Sequence, residues 1–219
     1  MDYRSLPRIS NSDLSELLAD VKGEVQKKPV KAFAFGTITH GLIIEPKVQQ
    51  VIPDCVDIDL ARKLASVARA NPFLSWAIKF CKKETVQLWE DMATGLQLKA
   101  RLDLVFRGSI VIDIKTTSCK SLADFLHTCE VYEYDRQAAF YLDSIGAKKF
   151  VFVAIQKVKP YNVWIVEHHT SGSFVMGGRK KYSRLLREWQ RRETIGQPFV
   201  PSTWRTVDTS ELAETWQNS

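Results

Sequence analysis

Asp103, Asp113 and Lys115 sit in two short apolar runs joined by one turn. Residues 99–106 read Lys-Ala-Arg-Leu-Asp-Leu-Val-Phe, and residues 110–115 read Ile-Val-Ile-Asp-Ile-Lys. The even positions are apolar in both: Ala100, Leu102, Leu104 and Phe106, then Ile110, Ile112 and Ile114. That is the period of a strand with one buried face. Arg107-Gly108-Ser109 suits a hairpin loop. Pairing Phe106 with Ile110 keeps the apolar faces together and sets Asp103 across from Asp113, with Cβ atoms roughly 5 Å apart. Two like charges so placed need compensation, and a divalent cation is the simplest. Lys115, two residues on, shares that face. Two carboxylates and a lysine around a hard cation are the parts needed to cut a phosphodiester. The competing reading is a surface hairpin whose acids are neutralised by Lys99 and Arg101. Polar outer faces are common on antiparallel sheets, so spacing alone favours that reading slightly. The rest of the chain shifts the balance.

These residues need a scaffold, and the chain has the means for one. It has 219 residues, 45% hydrophobic and 26% charged, enough for one sizeable core. We expect a single domain over 1–219, its core about 30–170, with an N-terminal helix and a C-terminal basic helix packed on it. No run of eighteen apolar residues suggests a membrane span. The opening Met-Asp-Tyr-Arg-Ser-Leu-Pro lacks an apolar signal core, which argues against secretion. Cys55, Cys81, Cys119 and Cys129 are scattered without a CxxC, disfavouring zinc ribbons and redox pairs and fitting reduced thiols in a cytoplasm. The formal net charge of +6 is compatible with a polyanion partner.

Along the chain, Ser10-Asn11-Ser12-Asp13 resembles a capped helix start, and residues 22–31 read as polar loop. The segment from Phe33 to Ile44 ends at Glu45-Pro46, and Ile58 to Ala70 has helical periodicity. Glu84 to Glu90 alternates as a strand leading through Ala93-Thr94-Gly95 into the one holding Asp103. Leu122 to Ile145 reads as one long helix, Phe150 to Val158 and Tyr161 to Glu167 as strands, and Lys180 to Arg192 as a final helix. The sum is an α/β fold, a mixed central β-sheet flanked by helices, with a crossover helix on one face.

Other constellations have two readings each. Tyr134, Gln137 and Tyr141 form one stripe at i, i+3 and i+7, which could approach the lysine or simply pack a core. His40 stands between Gly36 and Gly41, which leave room around it, although a lone histidine is more often structural. Glu45 is either a second acid or a helix-end residue. His168-His169 reads as surface. Arg184, Arg187 and Arg191 belong to a basic amphipathic run from Arg179 to Arg192 that could follow a phosphate backbone or be a solvated face.

Taken together, four segments resemble the PD-(D/E)xK nuclease superfamily, and within it the phage and prophage exonucleases of the RecE (exonuclease VIII) type. They are Ile9-Ser10-Asn11-Ser12-Asp13-Leu14; Phe35-Gly36-Thr37 through His40 to Glu45-Pro46; Arg101-Leu102-Asp103 with Asp113-Ile114-Lys115-Thr116-Thr117; and Tyr134-Asp135-Arg136-Gln137-Ala138-Ala139-Phe140-Tyr141. The superfamily often has proline before the first aspartate, where this chain has Leu102. The resemblance implies a restriction-endonuclease-like core and a Mg²⁺ or Mn²⁺ ion held by His40, Asp103, Asp113 and the carbonyl of Ile114. It implies Lys115 as the catalytic lysine, with Gln137 and Tyr141 beside it. It also implies a cytoplasmic enzyme of a bacterium or phage-infected cell, resecting linear duplex DNA from its ends, 5′ to 3′, for phage-type recombination. A single-strand annealing protein as partner and a ring-shaped homo-oligomer go with that picture. A restriction- or repair-type endonuclease, a catalytically inactive DNA-binding module and a hydrolase of small phosphoesters remain alternatives.

Overall fold

The structure, a computed structural model, describes Tyr3, residues 6–24, residues 30–202 and Trp204. Residues 1, 2, 4 and 5 of the opening segment and 25–29 of the polar loop lie outside the described residues. Among the described residues, seven helices and five strands follow in the order α1 (Asn11–Val21), α2 (Val30–Ile44), α3 (Ile58–Ala70), α4 (Pro72–Phe80), β1 (Lys82–Glu90), β2 (Gln97–Phe106), β3 (Ile110–Thr117), α5 (Leu122–Val131), α6 (Tyr134–Ile145), β4 (Lys149–Gln156), β5 (Val163–His169) and α7 (Ser173–Thr194). The strands form one sheet in sequence order. All neighbours are antiparallel except β3 and β4, which run parallel and are joined through α5 and α6. The chain thus has the expected α/β architecture with a mixed sheet.

The sheet is buried on both faces. Along β4, Phe150, Phe152 and Ala154 join a core with residues of α1, α6 and α7, while Val151, Val153 and Ile155 join another with residues of α2, α3 and α4. A near-continuous apolar run is what such a doubly covered strand requires. This corrects the expectation of one buried face for the β2–β3 hairpin. Ala100 and Leu102 lie in the first core, but Leu104 and Phe106 pack with the second, so the alternation reverses across Asp103. The odd-numbered Val105 and Val111, both buried in the first core, were the sequence signal for the second covered face.

Local chemistry explains most element boundaries. Ser10 and Asp13 form a reciprocal capping box on α1. Asn71-Pro72, expected only to stop α3, also starts α4: Asn71 Oδ1 accepts from the Leu74 amide at 3.2 Å, and Pro72 occupies the first turn. The single helix expected from Leu122 to Ile145 is two. Glu133, at φ 52°, breaks it in the left-handed region, and α6 starts afresh at Tyr134. No glycine or proline marks that break in the sequence. His168 is not simply surface, for its ring stacks on Phe174 with centroids 3.9 Å apart.

Helix α7 begins seven residues before the expected Lys180 and crosses α6 closely at Gly178. A Cβ on Gly178 would collide with the backbone carbonyl of Asp135. Gly178→Ala should therefore push α7 off α6, at a cost of about 1–3 kcal/mol. We expect the melting temperature to fall by about 2–4 °C per kcal/mol. An unchanged melting temperature would show that the helices separate freely.

Candidate active site

The site forms where β2 and β3 part. Their register pairs Leu104 with Ile112, Val105 with Val111 and Phe106 with Ile110, which carries Asp103 toward Asp113 as the hairpin pattern requires. At that point the Asp103 carboxylate takes over from the ladder, its Oδ2 accepting the Ile114 amide at 2.8 Å. His40 comes from α2 on one side of the sheet, with its Nε2 3.1 Å from Asp103 Oδ2. Lys115 lies on β3 with its Nζ 2.8 Å from Asp113 Oδ2. From the other side, α6 presents Gln137, whose Nε2 donates to Asp113 Oδ1 at 2.9 Å. The break before Tyr134 lets α6 start here, and the buried Arg136 ties it to α1 through the Asn11 carbonyl at 3.1 Å and Ser15 Oγ at 2.6 Å.

The structure thus brings together His40, Asp103, Asp113, Lys115 and Gln137, and Tyr141 lies close enough to sense the charges of Asp113 and Lys115. Sequence reasoning missed two neighbours. Tyr134 was seen only as part of a stripe, yet its ring lies beneath the Lys115 ammonium, 4.9 Å from its centroid. Glu84, on β1, sits between Thr85↔Leu102 and Lys83↔Leu104, facing Asp103. Counting back from Glu90↔Gln97 across the β1–β2 turn would have found it. Glu45 is exposed beyond the end of α2 and joins none of these contacts.

The surface-hairpin alternative fails on its own cations. Lys99 is buried and donates to the carbonyls of Tyr3 and Leu6, at 3.2 and 2.8 Å, and Arg101 pairs with Glu84. The basic run of α7 is also partly spent inside the fold. Arg179 binds Asp143, Lys181 binds Asp135, and Arg192 binds Asp20 and Glu188. Arg191, one of the three candidate phosphate contacts, pairs with Glu188 at 2.7 Å, while Arg184 and Arg187 are exposed.

The two aspartates are not equivalent. Burial pushes Asp113 up to about 6, with the neighbouring Asp103 charge adding to it and Lys115 opposing. Burial acts on Asp103 in the same sense, but His40 and the Ile114 amide outweigh it and hold this carboxyl below its usual range. Burial alone would lower His40; the Asp103 carboxylate reverses that and raises it to about 9. Burial likewise opposes the Lys115 charge, but Asp113 holds its pKa above the ordinary lysine value. Burial raises Glu84 and Tyr141.

A consequence for stability follows in metal-free protein. A raised folded-state pKa contributes stability that is complete below the unfolded value and lost as pH climbs through the folded one. For His40 that window runs from about 6.5 to about 9. For Asp113 it lies lower, from about 4 to about 6. In EDTA we expect stability to fall between pH 6.5 and pH 9.5 by up to about 3 kcal/mol from His40. His40→Ala should flatten this slope in thermal or urea melts. An equal slope in the variant would show that His40 does not hold its proton there.

Two atoms of the site are among six buried side-chain atoms that make no directed hydrogen bond in the described residues. They are His40 Nε2 and Asp113 Oδ2, each held instead in an ion-pair contact, with Asp103 Oδ2 at 3.1 Å and with Lys115 Nζ at 2.8 Å. His40, Glu84 and Asp103 each bring a ligand atom within 4.8 Å of the others, a spacing that could hold a metal ion. An imidazole with hard carboxylate oxygens suits a small divalent cation.

A mixed sheet whose parted central strands carry an Asp, an Asp-x-Lys and a facing glutamine helix is the PD-(D/E)xK arrangement. The family assignment agrees: the chain belongs to the family described as the PDDEXK-like domain of unknown function (DUF3799), whose model matches residues 9–194. Among solved structures, a candidate exonuclease from Eubacterium rectale shares the fold, with a TM-score of 0.62 and 13% identity over 90% of this chain and 84% of that one. An alkaline exonuclease from Laribacter hongkongensis aligns at a TM-score of 0.43 and 14% identity, covering 86% of this chain and 90% of its own. A phage-related exonuclease from Haemophilus somnus aligns at 0.44 and 10%, covering 85% and 95%. No curated protein matches the chain. Among the described residues, no helix is long and apolar enough to cross a membrane.

Proposed function

We propose that this chain is a metal-dependent deoxyribonuclease that hydrolyses linear duplex DNA from its ends, 5′ to 3′, as in the RecE-type enzymes it resembles. The observation that carries the reading is the contact of His40 with Asp103, Nε2 3.1 Å from Oδ2, at the end of the hairpin register that brings Asp103 toward Asp113. The shared fold with the Eubacterium rectale candidate exonuclease supports it.

His40, Asp103, Asp113 and the Ile114 carbonyl would hold Mg²⁺ or Mn²⁺. A residue's N–H and C=O point to the same side of a strand, so the Ile114 carbonyl faces β2 as its amide does. When bound, such a cation polarises a scissile phosphate and lowers the pKa of an attacking water. The chain's own groups do the rest. Lys115 keeps its proton, so it serves as a fixed positive charge against the charge that develops on phosphate, not as a base. The Tyr134 ring holds that ammonium in place. Gln137 donates to Asp113 Oδ1, so that Oδ2 faces Lys115. Tyr141 keeps its hydroxyl proton and can donate it to a phosphate oxygen. His40 must lose its Nε2 proton to act as a ligand, so metal affinity rises with pH.

Exposed Arg184 and Arg187 are suited to phosphate contacts without sequence information, and DNA binding should weaken steeply with salt. Supply of the resected strand to an annealing protein, in a cytoplasm and from a ring-shaped assembly, completes the RecE-type picture. The test is acid-soluble release from linear duplex in Mg²⁺ and in excess EDTA. Release only with the metal is expected. Release that persists in EDTA, or none in either, would overturn the reading.

A further inference from the structure

Glu84 takes no part in the site as proposed above, yet it is built into it. It faces Asp103 across β1 and β2 and adopts φ 46°, a left-handed backbone uncommon for any residue but glycine. Its two carboxylate oxygens have different partners. Oε2 lies 3.0 Å from Arg101 Nε in an ion pair. Oε1 lies 3.5 Å from His40 Nδ1. The opposite ring nitrogen, His40 Nε2, lies 3.1 Å from Asp103 Oδ2. Which imidazole nitrogen carries the proton is set by what the other meets. A carboxylate at Nδ1 keeps a proton there, fixes the ring orientation and leaves the Nε2 lone pair for a ligand. We propose that Glu84, clamped by Arg101, is a positioning residue that holds His40 Nδ1–H so that Nε2 is presented to a divalent cation. This rests on the reading of His40 as a metal ligand.

The arrangement suits an indirect role for Glu84, because its two oxygens already face Arg101 and His40. Alanine at this position has the same Cβ and the same backbone preference, so it removes the carboxylate without new strain. Glutamine keeps an oxygen that can accept from Nδ1–H. The experiment is Mn²⁺ binding to the full chain by calorimetry, paired with ¹⁵N spectra of the His40 ring in Mg²⁺-loaded protein. Glu84→Ala should weaken Mn²⁺ binding about 10- to 100-fold, the range for losing such an outer partner of a ligand. It should also lose the protected Nδ1–H signal. Glu84→Gln should retain most of the affinity and the signal. Arg101→Met, which frees the clamp, should weaken binding less than Glu84→Ala, and it serves as the second variant if Glu84→Ala does not fold. Wild-type affinity in Glu84→Ala would overturn the inference. So would an equal loss in Glu84→Gln with the Nδ1–H signal intact, which would make Glu84 a direct ligand. His40→Ala separates the two levels. If it binds Mn²⁺ normally, the ligand reading and this inference both fall; if it loses affinity while Glu84→Ala does not, only this inference falls.

Discussion

Asp113→Asn is expected to lower DNA cleavage about 10³-fold or more while the protein stays folded. The asparagine keeps an oxygen for the Gln137 amide, the 2.9 Å bond that seats α6 on the site. It removes a charge that burial disfavours, and in exchange leaves Lys115 without its 2.8 Å partner. These effects oppose one another, so the melting temperature should move little. Asp103→Asn should abolish cleavage as well, but at a cost in stability. Asp103 is held ionised by His40 and the Ile114 amide, and weakening such a hydrogen bond to a charged group costs about 1.5–3 kcal/mol. Simple repulsion between two facing acids would make both substitutions stabilising, and the surroundings of each acid argue otherwise. Rates on linear duplex and thermal melts of both variants check this. Wild-type cleavage by either would remove the carboxylates from the chemistry.

Lys115→Ala carries the second large effect. Loss of one preorganised charge at a reacting group costs about 10²–10³ in rate. Because Asp113 keeps the ammonium protonated against the opposing effect of burial, with Tyr134 against it, the lysine is expected to act as a fixed charge. Mn²⁺ affinity and DNA binding should be largely kept, so the loss should appear in the single-turnover cleavage rate with saturating enzyme. Normal cleavage by the variant would reduce Lys115 to a neutraliser of Asp113.

Much of this site was legible in the residues. The Phe106–Ile110 register, the lysine two positions past Asp113 and the Tyr134-Gln137-Tyr141 stripe each carry strict periodic information, and the structure brings these groups together. His40 was legible only through its resemblance to a motif, since a histidine in an apolar segment has no periodic signature. The break between α5 and α6 was hidden because Glu133 enters the left-handed region without a glycine to announce it. Burial of both sheet faces depends on which helices fold back over the strands, and strand alternation alone cannot report that. Glu84 was missed because its meaning lies in a register two strands from Asp113, across a turn whose length had to be counted. The basic run, open in the sequence between a phosphate track and a solvated face, is partly neither: acidic partners distant or near in sequence take up Arg179, Lys181, Arg191 and Arg192.

A nuclease that grips only the backbone needs some feature to choose where to cut, and a DNA end supplies one. The most direct measurement is digestion of end-labelled linear duplex and covalently closed circular duplex side by side in Mg²⁺, with Asp113→Asn as control. Progressive loss of 5′ label from the linear DNA, an intact circle and no loss with the variant are the expected result. Discrete fragments from the closed circle would point to a site-directed endonuclease, and label lost equally with Asp113→Asn would contradict the active site itself.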